Sequence, residues 1–333
     1  MVRGSRRDVG VTEFCSTCGE VGASTKRHAL TSRDARASVP GVESERETGD
    51  VHGHGHGRES RHGHGFGSVA ARFEGGRTVL STVHATSPLR FVRPTFPGTR
   101  SATVCLLTFG GGLVDGDAIE VDLRVEAGAT LVVFTQATTK AFRGSSRQTI
   151  RAEVYGTLVL LPDPVACFAG SRYRQRVDIT LHGEGSAVTL DGFTSGRAAF
   201  GERWAFDGLD LATTVRDGGA KVLVRDALRL DRDDGSIAAR LDRFEAFATV
   251  LALGPRVAPV VTSILQRSIV SDAVVAAPSP LPSPLPSPLP SPLPCGSIVR
   301  IAATSPSRAL EEARARLRNL ADIDVVDPFA SRH

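Results

Sequence analysis

The sequence predicts a mainly β fold in layers, with about two α-helices in the C-terminal part, and three observations predict it. Between Val69 and Pro278 glycines recur about every 9 to 16 residues (Gly116, Gly128, Gly144, Gly156, Gly170, Gly183, Gly192, Gly208, Gly218), which is the spacing of short strands joined by turns. Alternation is clear at Val121, Leu123 and Val125 against Asp122, Arg124 and Glu126, and at Val177, Ile179 and Leu181 against Asp178 and Thr180, so these strands have one buried and one wet face. The runs Leu131-Val132-Val133-Phe134 and Leu158-Val159-Leu160-Leu161 lack polar partners, so their strands are expected to be covered on both sides.

In chain order, residues 1–67 come first. Only 17 of them are hydrophobic, about a quarter, against 41% for the whole chain. Ordering a residue costs roughly 1 to 2 kcal/mol of backbone entropy, which so little apolar surface does not offset. Residues 1–67 are therefore expected to form a disordered arm before one β domain at 68–333. The arm holds Cys15-Ser-Thr-Cys18, a zinc-type spacing without a second cysteine pair, with His28 as the nearest further ligand. It also holds His52, His54, His56, His62 and His64, five of the nine histidines within thirteen residues, spaced largely by glycine. Imidazole suits Ni²⁺, Zn²⁺ and Cu²⁺, and the glycines let several rings reach one ion. Two readings stand, a metal tract of modest affinity and a solvated low-complexity tail.

Late in the chain, Val257, Val260, Val261, Ile264, Leu265 and Ile269 follow the helical period, with Pro255 near the first turn, which predicts a helix over 256–272. Ser279 to Pro294 repeats Ser-Pro-Leu-Pro four times. Proline at every second position removes half the backbone donors and favours polyproline II, so the tract interrupts the domain as a stiff loop, an SH3 or WW ligand being the functional alternative. A second helix is predicted over 306–320, where Leu310, Ala313, Leu317 and Leu320 form a stripe, Ser305 suits the N-cap and Glu312 stands four residues before Arg316.

Composition excludes several function classes. The formal charge is +4, with 10 basic against 9 acidic residues up to Gly67 and 30 against 27 beyond it. No basic block exists, which argues against a nucleic-acid binder. No apolar run approaches the roughly 18 residues of a membrane span. Five scattered cysteines favour a reducing compartment, and no apolar h-region follows Arg3, Arg6 and Arg7, so a cytoplasmic protein is expected, a transit peptide in residues 1–40 being the alternative. The nucleophile-elbow and P-loop motifs are absent, and the β body carries only His84 and His182. Gly110-Gly111-Gly112 leads into Asp115 and Asp117, which would repel a phosphate, so a tight turn is expected there. Asp117, Asp163, Asp191 and Glu202 punctuate the strands. Isolated acids on sheets are usually solvated; buried ones would need partners such as Lys140, Arg143, Arg197 or Arg203, and several facing an interior would pass a cation by exchangeable oxygen ligation.

Seven segments stand in a telling order: Ser87-Pro88-Leu89-Arg90, Gly111-Gly112-Leu113-Val114-Asp115-Gly116-Asp117, Thr135-Gln136-Ala137-Thr138-Thr139-Lys140, Leu161-Pro162-Asp163-Pro164-Val165 with Phe168, Thr194-Ser195-Gly196-Arg197, Gly201-Glu202-Arg203-Trp204, and Asp327-Pro328-Phe329-Ala330. In these the chain resembles the UreD family of urease accessory proteins, called UreH in some bacteria, over about Arg72 to Ala330, and Pro-Asp-Pro-Val and Thr-Ser-Gly-Arg resemble its eukaryotic branch. The resemblance implies stacked β-sheets wound like a β-helix, with two helices. It implies a non-enzymatic role, in which the protein binds a UreF-like helical protein and a UreG-like GTPase, docks on apo-urease and assists delivery of nickel to its active site. Asp117, Thr139, Lys140, Asp191, Arg197 and Glu202 stand at family motif positions, and Asp117, Asp191 and Glu202 are the expected polar markers of a nickel route; a structural salt bridge or turn is the alternative for each. The chain departs from the pattern at Asp115, where many members have a small residue, at Gly192, where an aromatic is expected, and at His333, beyond which members usually continue through a tryptophan-containing tail. A β-helical carbohydrate-active enzyme would share the architecture, and a metal-storage protein would act through the histidine arm alone.

Overall fold

The computed structural model describes residues 63–281 and 295–329. Cys15, Cys18, His52, His54, His56, His62, most of the Ser-Pro-Leu-Pro tract and Ala330 lie outside the described residues.

The chain winds between two sheets. Ala102–Thr108, Thr130–Thr135, Thr157–Leu161 and Ser186–Thr194 lie parallel and adjacent in an eleven-stranded sheet. Ala118–Val125, Gly144–Val154, Ser171–Leu181 and Gly208–Asp217, the strands that alternate with them along the chain, lie parallel and adjacent in a seven-stranded sheet. Each coil thus adds one strand to each sheet, the winding that the resemblance implies. Antiparallel strands finish both ends. At one, Arg77–Ala85 pairs with His64–Glu74 and Leu89–Val92 with Ala102–Thr108. At the other, Val222–Asp231 pairs with Gly208–Asp217, and Ala246–Leu253 with Ser186–Thr194 and Gly296–Ala303.

The hydrophobic runs explain why there are three layers. Leu131, Val133, Leu158 and Leu160 face the seven-stranded sheet in one core, and Val132, Phe134, Val159 and Leu161 face the opposite way in a second core. Each fully buried aliphatic side chain contributes about 1.5–3 kcal/mol, so these runs secure both layers. The second core is closed by α2 (Ala258–Ile264), α3 (Pro306–Arg316) and a 3₁₀ segment, Arg318–Ile323. Along the wet-faced strands, Val121, Leu123, Val125, Val177, Ile179 and Leu181 are all buried.

Several expectations change in detail. A short helix, α1 (Ile237–Leu241), was not legible in the sequence; Ser236 caps it by accepting from Ala239 N at 3.2 Å. The helix expected over 256–272 ends at Ile264, and Ile269–Val270 is instead a strand paired with Val275–Ala276. The carbonyls of Ile264, Gln266 and Arg267, which a continued helix would have used internally, accept from Arg316. Ser305 caps α3 as expected, accepting from Arg308 N at 3.3 Å. Residues 64–67, counted with the arm by composition, are strand, because Gly65 and Gly67 let the backbone lie against Leu89 and Phe91, where a Cβ would stand about 2.5 to 3.1 Å from their atoms.

Candidate functional site

The turns of the winding are of two kinds. Returns from the seven-stranded to the eleven-stranded sheet are tight, at residues 126–129, 155–156 and 182–185. Turns in the other direction are long, and they carry the recurring polar motifs. Consecutive long turns stack on one another: Leu113 bridges Ala141 in parallel, Lys140–Ala141 pairs with Ala166–Cys167, and Val165–Ala166 with Phe193–Thr194. The motifs at Asp117, Thr139-Lys140, Asp163, Arg197 and Glu202 therefore gather along one edge because each coil brings its long turn to the same side. Asp327 stands apart, paired with Arg314 at 3.0 Å in the helix layer.

On this edge the carboxylates are engaged. Asp117, 6% exposed, accepts from Gly63 N through Oδ1 at 2.9 Å and from Val114 N through Oδ2 at 2.8 Å, so it ties the first strand to the Gly110-Gly111-Gly112 turn, where Gly110 and Gly111 have φ of +83° and +74°. Glu202 receives both Nε and Nη2 of Arg197, at 2.9 and 2.5 Å, and Ala169 N at 3.3 Å. The Arg197 guanidinium holds the Glu202 carboxyl below the usual carboxylate range, and it also lies 4.4 Å from the Phe168 ring centroid. Thr135 and Asp163 bond reciprocally, Thr135 Oγ1 donating to Asp163 Oδ2 and accepting from Asp163 N. Arg203 and Ser195 both donate to Glu245, and Arg203 also donates to the carbonyls of Asp242 and Phe244. Thr139 gives its carbonyl to Ala166 N, and Lys140 is exposed with its carbonyl accepting from Leu113 N. Asp115, an expected departure, accepts from Ser145 N at 2.7 Å.

Asp191 stands elsewhere, between the sheets. Its Oδ1 accepts from Gln175 Nε2 at 3.0 Å and from its neighbour Gly192 N at 2.8 Å. The Tyr173 hydroxyl donates to Gln175 Oε1 at 3.0 Å and lies 3.3 Å from Gln148 Oε1. Ser146, opposite Tyr173 in the adjacent strand, buries a hydroxyl with no partner among the described residues. Gln148, Tyr173 and Gln175 are 6%, 2% and 8% exposed, so a lane of buried polar groups enters an otherwise apolar core. Asp191 keeps some exposure where it lines a cavity of about 40 Å³ with Asp226, whose carboxylate pairs with Arg300 at 2.6 Å. Burial pushes the Asp191 carboxyl up to about 6, opposed by its hydrogen bonds from Gly192 and Gln175. Gly192 is required here, since a Cβ would stand 2.6 Å from the Phe247 carbonyl oxygen. Cys167 is also in this core, and burial pushes its thiol up to about 12, so it is a neutral packing group near neutral pH.

Of the expected residues, the fold brings Asp117, Thr139, Lys140, Arg197 and Glu202 to one edge and leaves Asp191 in the interior. Gln148, Tyr173 and Gln175 were missed. Their signal was present: Ser146 and Gln148 occupy the inward parity of a strand that continues with Ile150, Ala152 and Val154. Among the described residues no three His, Cys, Asp or Glu side chains converge as a metal cluster, and no helix is long and apolar enough to cross a membrane.

Residues 64–325 match the family described as UreD urease accessory protein. The chain belongs to the UreD family. It is 42% identical over 264 residues to the urease accessory protein UreD of Sorangium cellulosum, covering 77% of this chain and 80% of that protein. It is 37% identical over 271 residues to UreD of an Anaeromyxobacter strain, covering 78% and 86% of the two chains. Urease accessory protein D of Arabidopsis thaliana is 34% identical over 200 residues, 57% of this chain and 68% of that one. Bacterial and plant UreD proteins are thus both similar to this chain.

Proposed function

We propose that this UreD protein is a non-catalytic scaffold that assists nickel delivery into apo-urease, acting with a UreF-like protein and a UreG-like GTPase in the cytoplasm. Nickel is its cargo. The observation that carries the reading is the buried lane from Gln148 through Tyr173 and Gln175 to Asp191. A core that serves stability alone favours apolar contacts, and burying polar groups costs free energy unless each is satisfied. Amide, phenol and carboxyl oxygens ligate a divalent ion weakly and exchangeably, which suits passage better than storage. Asp191 is the anionic point of the lane. The motif edge, with Asp117, Thr139, Lys140, Arg197 and Glu202, forms its rim, where paired carboxylates hold the long turns in shape for partner contact.

The test is co-expression of the full chain with apo-urease and the UreF-like and UreG-like proteins, reading urease nickel content and urea hydrolysis. Asp191→Asn keeps an acceptor for Gln175 and loses the charge. The expected result is a complex that still co-purifies, with nickel content and activity several-fold lower. Equal nickel content with the Asn variant would remove Asp191 from the route, and urease fully loaded without this chain would overturn the function.

A further inference from the structure

We infer that the edge formed by the stacked long turns is a docking surface for a protein partner whose contact face carries apolar side chains bordered by carboxylates. The edge is continuous. At one end stands Phe109, its N–H donating to the Pro88 carbonyl at 2.8 Å and its ring centroid 6.0 Å from the Arg90 guanidinium. The turn that follows presses on the next coil, since a Cβ at Gly112 would stand 2.5 Å from the Lys140 carbonyl oxygen and 2.6 Å from Phe142 Cε2. Phe142 meets Phe168 edge to face at 5.2 Å, and the Arg197 guanidinium lies 4.4 Å from the Phe168 centroid and 5.6 Å from that of Phe200. Successive coils thus present one row of aromatic rings and guanidinium groups.

Two observations give the partner its chemistry. Phe109, Val114 and Phe200 are 55%, 50% and 77% exposed, so the row holds large apolar groups in water, and such groups gathered in one place mark an interaction site. Aromatic rings beside arginines are the anchors that dominate the binding energy of protein interfaces. The second observation is charge. Asp117 is buried, Asp163 and Glu202 are half-buried, and these three and the exposed Asp115 all accept hydrogen bonds from the chain itself. Arg90, Lys140 and Arg143 are exposed and form no ion pair among the described residues, although the charge of Arg143 also reaches Glu202. The outward charge of the edge is therefore mostly cationic, and carboxylates on a partner complement it. A second copy of this chain would bring cations against cations. Nucleic-acid bases stack on phenylalanine, but three unpaired cations spread over separate coils are few for a phosphate backbone.

This inference rests on the proposed function, from which it takes the partners, and adds the surface and its chemistry. The full chain is co-expressed with the UreF-like protein, the UreG-like protein and apo-urease and captured from the mixture, with the folding of each variant checked by circular dichroism. Phe109→Ala combined with Phe200→Ala is expected to weaken retention of one of the three by about tenfold or more. Lys140→Glu combined with Arg143→Glu does the same to the same protein, whose retention by the unaltered chain also falls as salt is raised. Val270→Asp changes nothing, because Val270, 83% exposed, lies in the strand at the end of the eleven-stranded sheet opposite Leu89–Val92. Unchanged retention of all three proteins in both double variants would overturn the inference and leave the Asp191 nickel-content test standing. Self-association of the chain that is lost in both double variants would overturn it in favour of a second copy. Binding of a single-stranded RNA oligonucleotide that is lost in both would overturn it in favour of nucleic acid. Retention of none of the three by the unaltered chain would overturn the proposed function and this inference together.

Discussion

The Arg316 guanidinium, 2% exposed, donates to Glu312 Oε1 at 2.6 Å across one turn of α3, and its remaining donors reach the carbonyls of Ile264, Gln266 and Arg267 at 3.1 Å. A pair at this spacing on an exposed helix is worth about 0.3–0.5 kcal/mol. Buried, it joins α3 to the end of α2 by donating to the carbonyls that follow the last turn of that helix. Arg316→Ala strands Glu312 and those carbonyls, and is expected to destabilise the protein by about 3–5 kcal/mol. Glu312→Gln keeps an acceptor and costs less. Chemical denaturation checks both, and equal small shifts in the midpoint would refute the assignment.

Tyr173 supplies the hydroxyl at the centre of the interior lane. Tyr173→Phe keeps the ring and leaves Gln175 Oε1 without its donor, so a loss of about 1–3 kcal/mol is expected. In the co-expression assay the same variant lowers urease nickel content, if the phenol is one of the exchangeable oxygens. A stability loss with unchanged nickel content would make the hydroxyl purely structural.

Asp191 makes stability depend on pH in an unusual direction. Its folded pKa, about 6, lies above the ordinary 3.8 because burial disfavours the charged form, so the folded state holds the proton more tightly. Stability from this group is present below pH about 4, falls as pH rises through the window to 6, and the full cost remains above it. Asp191→Asn is therefore expected to stabilise the protein at pH 7.5 by up to about 3 kcal/mol, less whatever solvent in the adjoining cavity relieves, and to change nothing near pH 4. Thermal melts at the two pH values test this, and a stabilisation independent of pH would contradict it.

Gly156 sits in a tight return between coils. A Cβ there would fall against the carbonyl oxygens of Ala129 and Glu126, both backbone atoms of the previous return, so no side-chain motion relieves the clash. Gly156→Ala is expected to cost about 1–3 kcal/mol or more, because it forces two stacked coils apart. Denaturant melts should show the loss, and a neutral effect would mean that the returns are not in close register.

Much of the fold was legible because burial leaves a periodic trace. Leu131 to Phe134 and Leu158 to Leu161 read as strands covered on both faces, and they separate two cores as expected. Ser305 as the cap of α3 and the Glu312–Arg316 spacing were also readable, since both depend on local sequence. Where α2 ends was not, since a residue 52 positions away takes up the Ile264 carbonyl. The motif residues were recognisable as a set, but their partners were not. The pairing of Arg197 with Glu202 is local, whereas Asp117 with Gly63 and Glu245 with Ser195 and Arg203 join segments distant in sequence.

The sequence by itself determined the mainly β character, the two-faced and fully covered strands, a C-terminal helix with its cap, and membership of the UreD family through ordered motifs. Those properties are written in periodicity and in local residue order. Only the tertiary structure decided that the long turns stack on one edge, that Asp191 faces a polar lane through Gln175 and Tyr173, and that His64 stands beside Glu120. These depend on register between strands that lie dozens of residues apart, and a one-residue slip in any of them would turn every side chain of that strand to the opposite face.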